Sequence, residues 1–237
     1  MPAVSPDSLP IVLVPGLNCS ARLYAEQIPE LWRFGPVTVA DHTRDAAIAA
    51  MASRILAAAP PVFALAGLSL GGYIAFEIMR QAPQRVANLA LLDTMAIPET
   101  AELTARRQAP MAMARAGKLI EVADESFVFF VHPSRHGDVA LRAVVRAMAE
   151  ETGIEAYLRQ QQAIIAWPDS RPGLAAIACP TLMLVGEQDR GTPPDLAREI
   201  AAGIAGARLV VVPECGHLST LERPQAVTKA LVEWMQA

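Results

Sequence analysis

The sequence predicts an α/β fold: a mostly parallel sheet of about six strands, covered by helices on both faces and interrupted once by a helical insertion. Three observations predict it. Short apolar, β-branched runs alternate with longer Ala-rich stretches of helical period, the pattern of βα units feeding a parallel sheet. The runs are apolar at nearly every position, as strands buried on both faces must be. The alternation fails over one interval, Ala96 to Trp167, and then resumes unchanged.

Taken in order, the first strand is Ile11 to Val14, and a helix is expected over Ala21 to Trp32. Val37 to Ala40 forms the second strand and Asp45 to Ala58 its helix. Val62 to Ala66 is the third strand, joined by a glycine-rich turn to a helix over Leu70 to Gln81, and Leu89 to Leu92 is the fourth. The interval Ala96 to Trp167 carries helical spacing at Leu119, Ile120, Ala123, Phe127 and Phe130, and again at Val144, Val145 and Met148. Breaks at Pro98, Pro110, His132-Pro133, Gly137, Gly153 and Pro168 divide it into about four helices. The expected domain division is therefore a core of residues 1–95 and 168–237 with a helical cap over 96–167. Strands resume at Thr181 to Val185 and Arg208 to Val212, followed by helices at Pro193 to Ile204 and Pro224 to Met235. Thr192 reads as the N-cap of the first of these, ahead of Pro193 and an acidic first turn at Asp195.

The 237 residues are 53% hydrophobic and 19% charged, a composition that excludes disorder. A net charge of −4 without a Lys/Arg run gives no footprint for nucleic acid. Met1 to Asp7 has no basic n-region, and the run Ile11 to Val14 is too short for a signal core or a membrane span, so a cytoplasmic protein without membrane contact is expected. Cys19, Cys179 and Cys215 are odd in number and lack metal-type spacing, which fits free thiols. No metal or organic cofactor is implied, the expected partner is a small-molecule substrate, and a homodimer is left open.

The segment Gly67-Leu68-Ser69-Leu70-Gly71 leads from an apolar strand into an amphipathic helix, the setting of a nucleophile elbow. A serine there projects above the sheet at a helix N-terminus, where amides and the macrodipole stabilise negative charge. The competing reading is a plain serine N-cap. A serine hydroxyl needs a base, and the base a partner acid, later in the chain. His217 follows the last strand and Asp189 the strand before it, so the carboxylate can hold the imidazole tautomer. Asp93, which also ends a strand, and Glu187 are alternatives for the acid. His42, His132 and His136 read as surface or turn residues. The expected oxyanion donors are the amides of Leu70, next to the nucleophile, and Leu17, in the loop after the first strand. Met95, Phe127, Phe130, Trp167 and Leu218 are the candidate pocket residues, and Arg106, Arg107, Arg115 and Lys118 read as a solvated helix face.

Through Pro15-Gly16-Leu17, Gly67-Leu68-Ser69-Leu70-Gly71-Gly72, Gly186-Glu187-Gln188-Asp189, Cys215-Gly216-His217 and Glu222-Arg223-Pro224, the sequence resembles the α/β-hydrolase superfamily. Within it the likeness is to small capped serine hydrolases, among them pimeloyl-ester carboxylesterases, 3-oxoadipate enol-lactonases and the menaquinone-pathway lyase. The resemblance implies a three-layer α/β-hydrolase fold and cleavage of a carboxylic ester, thioester or lactone. A lyase or C–C hydrolase with the same triad, or a small-molecule receptor on the same scaffold, are the alternatives. Two departures stand out: Pro15-Gly16 replaces the usual His-Gly, so that histidine's ordering of the loop is expected to be absent. Ten residues before the first strand leave no room for the family's two N-terminal strands, hence about six strands rather than eight.

Overall fold

The computed structural model describes residues 8–237, so the reading of Met1 to Asp7 lies outside the described residues. Strand β1 (Ile11–Val14) is wholly buried, and the chain after it makes a 3₁₀ turn (Ala21–Tyr24) and a single-turn helix α1 (Ile28–Leu31). The one long helix expected over Ala21 to Trp32 does not form. Pro29, inside that span, has no amide to donate and its ring would collide with the preceding turn, so it is accepted only where a new helix begins. Strand β2 (Val37–Val39) and helix α2 (Ile48–Ala58) follow. Helix α2 starts at Ile48 rather than at Asp45, whose carboxylate pairs with Arg54.

Strand β3 (Phe63–Leu68) runs directly into helix α3 (Leu70–Gln81), and strand β4 (Val86–Leu92) precedes four helices: α4 (Ala101–Arg115), α5 (Leu119–Phe130), α6 (Val139–Thr152) and α7 (Ile154–Ile165). The helix count is as expected, but one break is not. Helix α4 continues through Pro110 and stops instead at Gly117, where Gly117 and Lys118 donate back to the Ala114 and Met113 carbonyls in a glycine C-cap. Strand β5 (Thr181–Gly186), helix α8 (Pro194–Gly203), strand β6 (Arg208–Val212), the one-turn helix α9 (Ser219–Glu222) and helix α10 (Pro224–Met235) complete the chain.

All six strands are parallel, in the order β2-β1-β3-β4-β5-β6. Period-two alternation sends their side chains to two cores. Val12, Leu65, Leu91 and Val185 face α2, α3 and α8, while Leu13, Ala66, Leu92 and Leu184 face α10 and the turn around Leu23 and Leu31. The result is three layers, helices over both sheet faces. Helices α4–α7 share a smaller cluster of their own built on Leu119, Val122, Ala149 and Tyr157.

The strand order places the site. After β1 the chain crosses to β2 on one side, then returns to β3 on the other, so the carboxyl ends of β1 and β3 diverge and leave a crevice between their loops. Those loops are Pro15–Cys19 and the turn at Ser69.

Candidate active site

Ser69 stands at φ 55° and ψ −113°, a region that costs a non-glycine residue on the order of 1–3 kcal/mol. The surroundings hold it there. Its N–H donates to the Leu92 carbonyl (2.9 Å), and its carbonyl accepts from the Gly72 amide (2.8 Å) and the Thr94 hydroxyl (2.9 Å). The flanking glycines allow the turn: a Cβ on Gly67 would overlap the Gly71 carbonyl, and one on Gly71 the Val14 carbonyl. The Ser69 hydroxyl makes no capping bond to α3, so the plain N-cap reading fails and the oxygen is free for another use.

His217 is 6% exposed and Asp189 3%. The imidazole Nδ1 lies 2.7 Å from Asp189 Oδ2, and since an ionised carboxylate only accepts, that nitrogen carries the proton. The carboxylate is fully engaged: Oδ1 accepts from the amides of Gly191 (2.8 Å) and Thr192 (2.9 Å), and Oδ2 also from the Thr192 hydroxyl (2.7 Å). Thr192 is thus no N-cap. Helix α8 begins at Pro194, and the threonine side chain turns back to the carboxylate. Burial pushes the His217 pKa down, but the adjoining Asp189 charge and hydrogen bond outweigh it and leave the pKa above 6.5. Burial likewise raises Asp189, and His217 with the Thr192 donors more than reverses it, so the carboxyl stands below its ordinary value.

Asp93 does not touch His217. It is 0% exposed, accepts from the Gly186 amide (2.9 Å) and is hydrogen-bonded by the Ser219 hydroxyl. Burial, reinforced by the charge of Asp189, raises its carboxyl well above the usual range. Of the candidate acids, Asp189 is the one on the imidazole. Glu187 is exposed and accepts from Gln188.

Two loops are stitched together beneath the histidine. The Gln188 amide donates to the Cys215 carbonyl (2.8 Å), and Gln188 Oε1 accepts from the Cys215 amide (3.0 Å). Glu222, 2% exposed, accepts from the amides of His132 (2.8 Å), Gly216 (3.1 Å) and Leu218 (3.1 Å). Above, Phe130 stacks on the His217 ring at 4.7 Å, and its carbonyl accepts the His217 amide (2.8 Å).

Ser69 and His217 both line a cavity of about 540 Å³ between the sheet rim and α4–α7. Leu17, Met95, Phe127, Phe130, Met148 and Leu218 are in its walls, with Tyr73, which the sequence reading did not put there. Trp167 is not. It lies one layer behind, stacked on Tyr73 at 4.8 Å and donating from Nε1 to the Ile97 carbonyl (3.2 Å), because the chain leaving α7 turns it toward α3. The amides of Leu17 and Leu70 make no hydrogen bond among the described residues; Leu70 opens α3, whose first amides have no helical partner.

Two further expectations are corrected. Arg107 does not belong to a solvated face. It turns into the cavity wall, where Glu99 accepts from Nε (2.7 Å) and Nη2 (3.2 Å), and Gln161 Oε1 from Nη1 (3.2 Å). Arg106 also borders the cavity, while Arg115 and Lys118 are exposed as read. His42 is no surface residue either: it is 2% exposed and its Nε2 lies 3.0 Å from the Gly16 carbonyl oxygen. A histidine just beyond β2 therefore anchors the loop after β1. The three cysteines are free; burial pushes the Cys19 thiol up to about 12. No group of residues suited to a metal ion occurs among the described residues, and no described helix is long and apolar enough to cross a membrane.

The fold has known counterparts. A thermophilic esterase from Thermogutta terrifontis superposes with a TM-score of 0.87 at 30% identity, covering 97% of this chain and 90% of that one. The enol-lactonase from Burkholderia xenovorans LB400 gives 0.87 at 25% identity over 97% and 92%. A pimeloyl-[acyl-carrier protein] methyl ester esterase from Edwardsiella ictaluri is 26% identical over 229 residues, 94% of this chain and 86% of that protein. The 28% match to a Mycobacterium tuberculosis relative covers 71% of this chain and spans 66% of that protein's length. The model of the Alpha/beta hydrolase family matches residues 11–230, strand β1 through helix α10, and the chain belongs to that family.

Proposed function

We propose that this chain is a serine hydrolase that cleaves a carboxylic ester, thioester or lactone of a small, moderately apolar substrate through an acyl-enzyme on Ser69. The observation that carries the reading is the strained Ser69, its hydroxyl unused by α3, sharing one cavity with an imidazole whose other nitrogen is held by a buried carboxylate. His217 Nε2 takes the Ser69 proton, the serine oxygen adds to the acyl carbon, and the amides of Leu17 and Leu70 receive the oxyanion. As the tetrahedral adduct collapses, His217 returns the proton to the departing alcohol or thiol. Water then repeats the sequence on the acyl-enzyme and releases the carboxylic acid. Asp189 stabilises the imidazolium throughout without taking its proton.

In this reading residues 1–95 and 168–237 are the core that performs the chemistry, and residues 96–167 are the cap that selects the substrate. Apolar walls at Phe127, Met148 and Met95 suit an acyl or alkyl group. The esterase and lactonase relatives support an ester substrate. The test is Ser69→Ala on p-nitrophenyl acetate: turnover disappears, a fluorophosphonate probe no longer labels the protein, and the urea midpoint is retained. Undiminished turnover by Ser69→Ala removes the proposal.

A further inference from the structure

The loop after β1 is tied to the sheet by a residue that the reaction sequence does not use. His42 lies just beyond β2, is buried, and donates from Nε2 to the Gly16 carbonyl at 3.0 Å. A carbonyl can only accept, so Nε2 carries the ring proton. Burial lowers the His42 pKa from 6.5, which keeps the ring neutral and Nδ1 bare.

The peptide that His42 grips is the one carrying the Leu17 amide. In a planar trans peptide the Gly16 C=O and the Leu17 N–H point in opposite directions, so fixing the carbonyl aims the amide. Gly16 flanks the nucleophile closely: a Cβ built on it would lie 3.5 Å from Ser69 Cβ. Leu17 borders the cavity, and its N–H makes no hydrogen bond among the described residues. Within the loop, the Cys19 amide donates to the same Gly16 carbonyl (3.2 Å), and the Asn18 amide donates to Gln160 Oε1 (2.9 Å). The Cys19 bond closes the turn on itself, and the Asn18 bond ties its far end to α7. His42 holds its near end, at Gly16, from the segment just after β2.

Resting on the hydrolase reading above, we infer that His42 is a positioning residue for the oxyanion site, holding the Gly16–Leu17 peptide so that the Leu17 N–H faces the substrate oxygen beside Ser69. His42 moves no proton in the reaction. Its contribution is preorganisation: an oxyanion donor is effective because its direction is set before charge develops, and deleting one lowers kcat about 10²–10³-fold. Loosening a donor costs less than deleting it. The ground-state carbonyl depends on this amide less than the oxyanion does, so the effect falls on kcat rather than KM.

The experiment compares wild type, His42→Phe and His42→Gln on p-nitrophenyl acetate, with urea unfolding of each. Phenylalanine keeps a ring and loses the donor; glutamine restores an N–H donor on a flexible stem. His42→Phe loses about tenfold or more in kcat with KM changed by less than about twofold, and His42→Gln recovers most of the loss. If the phenyl ring prevents folding, His42→Leu carries the same expectation. A donor-free variant with wild-type kcat overturns the inference, as does a loss that glutamine fails to restore. A wild-type protein that turns over none of a panel of esters, thioesters and lactones overturns the hydrolase reading instead, a result distinct from active wild type matched by His42→Phe.

Discussion

Replacing Asp189 with asparagine changes one atom and reverses the polarity of the hydrogen bond that orients His217. Asp189 accepts four hydrogen bonds, two on each oxygen. The backbone amides of Gly191 and Thr192 meet at Oδ1 and cannot turn away, so an NH₂ group there would leave buried donors facing a donor, at about 1–3 kcal/mol each. The asparagine oxygen therefore stays on the amides, and its NH₂ faces the Thr192 hydroxyl, which can rotate to accept, and His217 Nδ1, which must now accept as well. The neutral ring then carries its proton on Nε2, the atom that should receive the Ser69 proton. Loss of the working tautomer and of the charge that stabilises imidazolium lowers kcat by about 10³–10⁴, or roughly 4–5 kcal/mol of barrier. Asp93→Asn is the control. Burial holds that carboxyl well above its usual range, its amide isostere can accept from Gly186 N and donate to a turned Ser219 hydroxyl, and kcat stays within about tenfold. Steady-state turnover of p-nitrophenyl acetate at fixed pH, with circular dichroism to verify folding, decides it. An Asp189→Asn variant within tenfold of wild type, or a larger loss from Asp93→Asn, refutes the assignment of the acid.

Activity and stability should respond to pH in opposite directions through His217. Its folded pKa lies above 6.5, so the stabilisation it receives from Asp189 is complete below 6.5 and fades as pH rises through the folded value. The base form grows over the same interval, so kcat/KM has an acid limb centred above 6.5; a limb below 6.5 contradicts the Asp189–His217 coupling. Trp167→Ala, which removes a 3%-exposed side chain stacked on Tyr73, should cost about 3–5 kcal/mol in urea unfolding while leaving KM near wild type. A large rise in KM without loss of stability would return Trp167 to the pocket.

Much of the fold was legible because it rests on local pattern. Runs such as Thr181–Gly186 are apolar throughout, and their alternate residues do reach two cores. Chain order ranked Ser69, Asp189 and His217, since parallel strands bring all their following loops to one rim. What order could not rank was which side chain enters the cavity. Tyr73 and Trp167 are both large and apolar on one face, and only the angle at which the chain leaves α7 puts one in the wall and the other behind it. His42 was misread for the same reason: the strand order β2-β1-β3 sets it behind the Pro15–Cys19 loop, a neighbourhood with no trace in local spacing. Thr192 carried a genuine N-cap signal, and a buried carboxylate in need of donors outcompeted the helix for its hydroxyl.

The way α5 ends has a bearing on anyone who would regraft this scaffold. Phe130 closes that helix, shields one face of the His217 ring and accepts its amide, and His132 gives its own amide to Glu222 below the same loop. The roof and the apparatus beneath it are one mechanical piece at this seam. Truncating the inserted helices, or exchanging them for those of a relative, would remove the stacking and the hydrogen bonds that hold His217 in place. A chimera needs the short stretch from Phe130 to His132 carried over intact, as the hinge on which a foreign roof is hung.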